Sequence, residues 1–173
     1  MLLPRDQALR FIEAYKAVLL RVLSNTTTPT TNSVNNDLAT ARSLAREDRG
    51  LIESAFTDLA AEGNPIESAV VEAIRSMKVD QWLYLRQTKT FAVFLDKDAS
   101  CAYAVLALTT PLHQLVGEPP FAMKIGLFEY EGKFVCDGLA LNPVALGPGY
   151  RNQLTAAYSH IRRAGNFRAH TEA

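Results

Sequence analysis

The sequence predicts an α+β domain in which four N-terminal helices precede an antiparallel, about five-stranded, meander-like sheet and a C-terminal helix. Two observations lead to this prediction. Apolar residues recur at three- and four-residue steps over residues 1 to 78, as they do along one side of a helix. From about Val79 they alternate or run continuously, as in strands, and the polar turns between the first strands are short enough to join only antiparallel neighbours.

Length and composition are those of one globular domain. Of the 173 residues, 48% are hydrophobic and 21% are charged, near the averages of about 45–50% and about 25% for soluble domains. We therefore predict a single domain with a helical half over residues 1 to 78, the sheet and terminal helix over residues 79 to 165, and a frayed tail over residues 166 to 173. Eighteen basic residues balance eighteen acidic ones, which argues against nucleic acid or an anionic membrane as a partner.

The helical half opens with a clear amphipathic segment, whose apolar stripe extends over residues 8 to 23. Two shorter amphipathic segments follow it. The start of the fourth helix has the strongest local signal: Asn64 is the predicted N-cap, Pro65 takes the first helical position, and Glu67 completes a capping box.

The second half contains five predicted strands, over residues 82 to 85, 91 to 95, 102 to 108, 121 to 130 and 133 to 141. The last two form a hairpin across Glu131 and Gly132, because glycine supplies the positive φ that such turns require. The second and third strands are apolar on both faces, so both faces need a cover. The N-terminal helices can cover one face, and the other requires the remaining helices, the C-terminal helix or a second subunit.

The best candidate ligand site lies at the start of the C-terminal helix, where Gly147, Gly149, Tyr150 and Arg151 follow one another closely. Glycines let a ligand approach the backbone, a helix N-terminus attracts anions, and the arginine adds donors. The segment lacks the spacing of a Walker loop and of the dinucleotide fingerprint. A helix start with only structural meaning is therefore the alternative interpretation.

Asp137 is the anomalous residue of the predicted sheet, because alternation places it on the same face as Val135 and Leu139. It is either at an edge open to water or buried and paired, since an isolated buried carboxylate is costly. Arg151 and Arg86 are the candidate partners. A structural role is favoured over a catalytic acid, and a ligand site shared with the loop at residues 147 to 151 is the alternative.

Complete catalytic and metal-binding patterns are missing from the sequence. Cys101 and Cys136 are far apart and lie in apolar strand-like runs, which is typical of free buried thiols. No histidine belongs to a ligand or nucleophile motif. Asp96 and Asp98 flank a predicted turn without the rest of a calcium-binding loop. The sequence therefore predicts no metal and no cofactor, and it favours a protein that is not an enzyme.

One local charge bias stands out near the C-terminus, where Arg151, Arg162, Arg163 and Arg168 face a single acid, Glu172. A solvated helix face is the ordinary interpretation, and an anion or nucleic-acid contact is the alternative.

The predicted location is the cytoplasm, because charged residues interrupt every apolar run near the N-terminus that could serve as a secretory or membrane-spanning segment. Our first hypothesis for function is an accessory or regulatory domain, not an enzyme, that forms a homodimer or binds a protein partner through a sheet face or the N-terminal helices. The second is a domain, binding protein or enzyme, that takes a small anionic ligand at residues 147 to 151 and Asp137.

Overall fold

The order of the elements confirms the predicted α+β class, with four helices before the sheet and one after it. The computed structural model describes residues 2 to 26, 28 and 30 to 170. The helices are α1 (Arg5–Ser24), α2 (Val34–Glu47), α3 (Gly50–Ala61), α4 (Ser68–Arg75), α5 (Leu112–Val116) and α6 (Pro148–Arg163). The strands are β1 (Lys78–Gln87), β2 (Ala92–Leu95), β3 (Ala102–Ala107), β4 (Phe121–Tyr130), β5 (Lys133–Cys136), β6 (Leu141–Ala145) and β7 (Phe167–Arg168).

The sheet closes into a barrel, which corrects the prediction of a meander. Its hydrogen-bonded order is β1-β2-β3-β5-β4, and β4 returns to pair with β1. Closure depends on the length of β1, which has ten residues where the sequence predicts four. The first part of β1 pairs with β4 from Lys78 to Tyr84, and its last part pairs with β2 from Leu83 to Gln87. The ring also contains one parallel pair, β3 with β5.

Two short strands, β6 and β7, were not expected from the sequence. The four residues of β5 bridge only one end of the gap between β3 and β4. At the other end β6 pairs with β4 and β7 pairs with β3. The sequence predicts a frayed tail here, but Phe167–Arg168 form a strand because β3 offers them an unpaired edge. Residues 171 to 173 of that tail lie outside the described part of the chain.

The interior of the barrel is filled with side chains, as is typical of barrels with few strands. Every strand of the ring contributes to this cluster, and α5 adds Leu112. Its buried members are Trp82, Tyr84, Ala92, Phe94, Val105, Ala107, Leu112, Met123, Ile125, Leu127, Phe134 and Cys136. The barrel is therefore a packed core and leaves no ligand chamber along its axis.

Helices cover the barrel from outside. The side chains packed between α6 and β1, β2 and β3 are Leu85, Val93, Leu95, Ala102, Leu154, Tyr158 and Ile161. Elsewhere Phe128 and Tyr130 of β4 and Val135 of β5 pack against the N-terminal helices, with Phe11 and Tyr15 of α1 among their neighbours. Both faces of β2 and β3 are thus covered within one chain, one by the barrel interior and the other by α6 and, at Leu106, by the N-terminal helices.

The predicted capping box of the fourth helix is wrong, because the same residues end the third. Gly63 adopts a φ of 81°, and its N–H bonds to the carbonyl of Ala60 while the N–H of Asn64 bonds to that of Leu59. This pair of bonds is a Schellman motif, which satisfies the last carbonyls of α3. Asn64 therefore cannot cap the next helix, and α4 begins only at Ser68.

Candidate functional site

Asp137 lies directly after β5 and is buried, which resolves the two alternatives for this residue in favour of a pair. Its Oδ2 accepts a hydrogen bond from Nη1 of Arg42 at 2.7 Å, and neither side chain is exposed to solvent. The partner is on α2, so the predicted partners Arg151 and Arg86 are wrong. Arg42 could become the partner because α2 presents it to the core between small residues, among them Ala41 and Ala45.

Four donors surround the Asp137 carboxylate and leave little of it unsatisfied. Besides Arg42, Oδ2 accepts from the hydroxyl of Tyr15 at 3.3 Å. Oδ1 accepts from the backbone N–H groups of Gly126 at 3.3 Å and of Leu139 at 3.0 Å. The carboxylate thereby joins α1, α2, β4 and the segment after β5. Such a dense set of donors is what a buried charge needs to persist.

Gly126 is required for this arrangement. A Cβ atom built at this position would lie 2.6 Å from Oδ2 of Asp137, well inside van der Waals contact. The absence of a side chain therefore lets the carboxylate approach the backbone of β4.

Arg42 is less well satisfied than its partner. Its Nε and Nη2 atoms are buried and have no hydrogen-bond partner among the described residues. Buried donors of this kind are usually satisfied by an internal water or a ligand. Next to the pair, burial and then the Asp137 charge raise the pKa of Tyr15 well above its ordinary value.

A cleft of about 280 Å³ lies beside this cluster, between the helical half and the barrel. Asp137 and Tyr15 contribute to its lining. The remaining walls come from α1, α2, the end of β3 with α5, and the segment after β5; they are Ile12, Lys16, Asn35, Leu38, Ala107, Leu108, Thr109, Thr110, Leu115, Gly138 and Leu139. The cleft is thus mainly apolar with a few polar groups, as binding sites for small molecules usually are.

The charges around the cleft favour an anion. Arg42 neutralises Asp137, whereas Lys16 is exposed and forms no ion pair with the described residues. Lys16 is therefore the one uncompensated charge of the lining. The lining contains no histidine and no cysteine.

The loop at residues 147 to 151 lies apart from Asp137. Asp137 bonds to Gly126 of β4, whereas β6, the strand that precedes the loop, pairs with Phe121 of the same strand. Five residues of strand separate these points, about 17 Å at roughly 3.4 Å per residue. Arg151 donates to the carbonyl of Pro119, so the two parts of the predicted site are not brought together.

Within the loop itself, the residues form an open helix start. Gly147 is the N-cap of α6 in an extended conformation, and Pro148 follows at the first helical position. A Cβ atom at Gly147 or Gly149 would meet nothing within 4 Å, and Tyr150 is 60% exposed. Neither glycine is thus needed for a close approach within the protein.

Sequence reasoning missed Arg42, Tyr15 and Lys16. Tyr15 belongs to the apolar stripe of α1 and resembles any other core aromatic in the sequence. Arg42 follows Ala41 on a helix with a sparse apolar face. The one available signal was that this arginine lies among the alanines that form the buried side of the helix. Nothing in the sequence indicates that α1, α2 and the end of β5 meet.

The turn and metal candidates have simple structural explanations. Asp96 accepts hydrogen bonds from the backbone and hydroxyl of Ser100 and from the N–H of Cys101, so it stabilises its own turn. In residues 2 to 26, 28 and 30 to 170, no three His, Cys, Asp or Glu side chains are grouped as they would be to hold a metal ion. Both cysteines are free thiols, and burial raises the pKa of Cys136 to about 12.

None of the helices in the described part of the chain has the length and apolar character needed to cross a membrane. Comparison of the chain with protein-family models, with curated proteins and with solved structures found no significant match.

Proposed function

We propose that this domain binds a small organic anion in the cleft above the Arg42–Asp137 pair. The observation that carries the proposal is a mainly apolar cleft whose one uncompensated charge is Lys16. The apolar part of the ligand packs against residues such as Leu38 and Leu139, and its anionic group lies near Lys16.

A binding role is favoured over an enzymatic one. The four donors around Asp137 occupy the carboxylate, which leaves it poorly placed to exchange a proton with a substrate. Protein binding or homodimer formation stays a prediction. The feature that motivated it, two strands apolar on both faces, is accounted for within one chain because α6 packs on their outer side.

Thermal unfolding in the presence of benzoate, octanoate and phenyl phosphate tests the proposal. A ligand at 100 times its Kd stabilises the folded state by about 2.7 kcal/mol, which raises Tm by roughly 5–11 °C in a protein of this size at about 2–4 °C per kcal/mol. Lys16→Gln should reduce the rise in Tm that the anions cause and leave any rise caused by uncharged benzamide unchanged. If none of the three anions raises Tm, the proposal is wrong.

Two leucines on helix surfaces provide a matched pair of variants. Leu115 lines the cleft and is 48% exposed, whereas Leu20 lies on α1 outside the lining and is 41% exposed. Leu115→Trp should fill the mouth of the cleft and abolish the rise in Tm, and Leu20→Trp should retain it. Equal responses in the two variants would place the ligand elsewhere.

A further inference from the structure

A second region of the protein concentrates positive charge that forms no ion pair with the described residues. The stretch from residue 148 to residue 170 contains four arginines, Arg151, Arg162, Arg163 and Arg168, and no aspartate or glutamate. Because the whole chain has a net charge of zero, this stretch is a local excess of positive charge that acids elsewhere in the chain balance. Concentrating like charges on one surface is unfavourable unless an anion neutralises them.

Three arginines line one open groove of about 460 Å³. Arg162 and Arg163 come from the end of α6 and Arg86 from the end of β1, and Thr155, Tyr158 and Ser159 complete the lining. We call the groove formed by these six residues the arginine groove. It is separate from the cleft beside Asp137, with which it shares no lining residue.

Aromatic rings hold two of the guanidinium groups in place. The guanidinium carbon of Arg86 lies 5.0 Å from the ring centre of Tyr158, and that of Arg162 lies 5.9 Å from the ring centre of Phe167. The two rings contact each other edge to face with centres 5.7 Å apart. Stacking on a ring limits the rotamers of an arginine and leaves its N–H groups free at the edges, so the groove is partly organised before a ligand arrives.

Most donors of these arginines have no partner among the described residues. None of the three arginines forms an ion pair within the part of the chain that the structure describes. Arg86 and Arg162 donate no side-chain hydrogen bond there, and Arg163 donates only from Nε, to the carbonyl of Ser159. Three guanidinium groups with mostly unused N–H donors thus line one groove, a composition that suits the oxygens of phosphate groups.

We propose that the arginine groove binds the phosphate groups of a small diphosphate or triphosphate ligand. A compact ligand is favoured over single-stranded nucleic acid because base stacking needs exposed aromatic faces. Tyr158 is only 5% exposed, and its ring is packed between Arg86 and Phe167. The lining on α6 extends from Thr155 to Arg163, about 12 Å at roughly 1.5 Å per residue, which is enough for two or three linked phosphates.

Isothermal titration calorimetry with inorganic pyrophosphate and tripolyphosphate, at low and high salt, tests the proposal on the full chain. Arg162→Gln and Arg86→Gln should each lower the affinity about tenfold or more, since a hydrogen bond to a charged group is lost. Arg5 is an exposed arginine of α1 outside the groove, and Arg5→Gln should change the affinity less than twofold. Unchanged thermal unfolding would show that each variant is folded.

Three results would overturn the proposal: no saturable binding of either probe at millimolar concentration, an equal loss of affinity in Arg5→Gln, or unchanged affinity in both groove variants. A single-stranded oligonucleotide that binds more tightly than tripolyphosphate at the same salt, and loses affinity in the same variants, would show that the groove binds nucleic acid and not a small ligand.

Arg162→Lys separates the geometry of the contact from its charge, because it keeps the positive charge and removes the fork of N–H groups. Affinity closer to that of Arg162→Gln than to that of the unmodified protein supports the bidentate contact, and full affinity contradicts it.

Discussion

The Arg42–Asp137 pair gives the most quantitative prediction, because the two partners are satisfied to different degrees. Asp137→Asn removes the charge that neutralises Arg42, whose Nε and Nη2 atoms already lack partners among the described residues. Breaking a buried pair in this way costs about 3–5 kcal/mol. The total free energy of unfolding of a domain is about 5–15 kcal/mol, so one amide substitution should remove a large part of it.

Arg42→Met should cost less than Asp137→Asn. After this change the carboxylate keeps three donors, from Tyr15, Gly126 and Leu139, whereas the opposite change leaves a guanidinium group unpaired. In the double variant neither charge is buried, so the combined loss should be smaller than the sum of the single losses by about 1–3 kcal/mol.

Equilibrium unfolding in urea, with the same slope for all four proteins, measures these differences. Asp137→Asn should also lower Tm by roughly 6–20 °C, from about 2–4 °C per kcal/mol. A loss below about 1 kcal/mol in Asp137→Asn, or strictly additive losses in the double variant, would refute the reasoning that the two charges depend on each other.

Two further predictions concern the surroundings of this pair. Gly126→Ala places a Cβ atom 2.6 Å from Oδ2 of Asp137 and should destabilise the protein by about 1–3 kcal/mol. Gly149→Ala should not destabilise it, because the added Cβ atom meets nothing within 4 Å. Equal losses of stability in urea unfolding would contradict the close approach at Gly126. Because burial raises the pKa of Tyr15 above its ordinary value of 10.0, the unfolded chain loses the Tyr15 proton at a lower pH than the folded protein does. The contribution of Tyr15 to stability is therefore present below pH 10 and is lost as the pH rises further. Tyr15→Phe should reduce the fall in stability above pH 10 by up to about 1.4 kcal/mol per pH unit, and an unchanged slope in pH-dependent unfolding would disprove this contribution.

Local signals in the sequence were sufficient where a single contact decides the structure. The hairpin between β4 and β5 turns at Glu131 and Gly132, which adopt φ values of 49° and 72°, as a two-residue hairpin turn requires. The stripe on α1 is also confirmed, because its members Phe11, Val18 and Leu19 are buried. These features depend on residues close together in the chain.

Features that depend on contacts between residues far apart in the chain could not be predicted from such local signals. Barrel closure needs Lys78–Gln87 to pair with two strands, although the first residues of β1 include the polar Asp80 and Gln81. β6 was hidden because Pro143 lies within it and its residues are mostly exposed, as is common for a strand that pairs on one side only. The partner of Asp137 was missed for the same reason, since Asp137 and Arg42 are 95 residues apart.

The ties to Asp137 also determine which parts of the cleft can move. Tyr15 and Arg42 fix α1 and α2 to the carboxylate, and Leu139 is held by its N–H group. The wall formed by α5 has no such hydrogen bond: this five-residue helix is held by Leu112 in the barrel, and Leu115 is exposed at its surface. Opening and closing of the cleft should therefore take place at α5, while the other walls keep their positions, so the rate at which a molecule enters or leaves depends on this short helix.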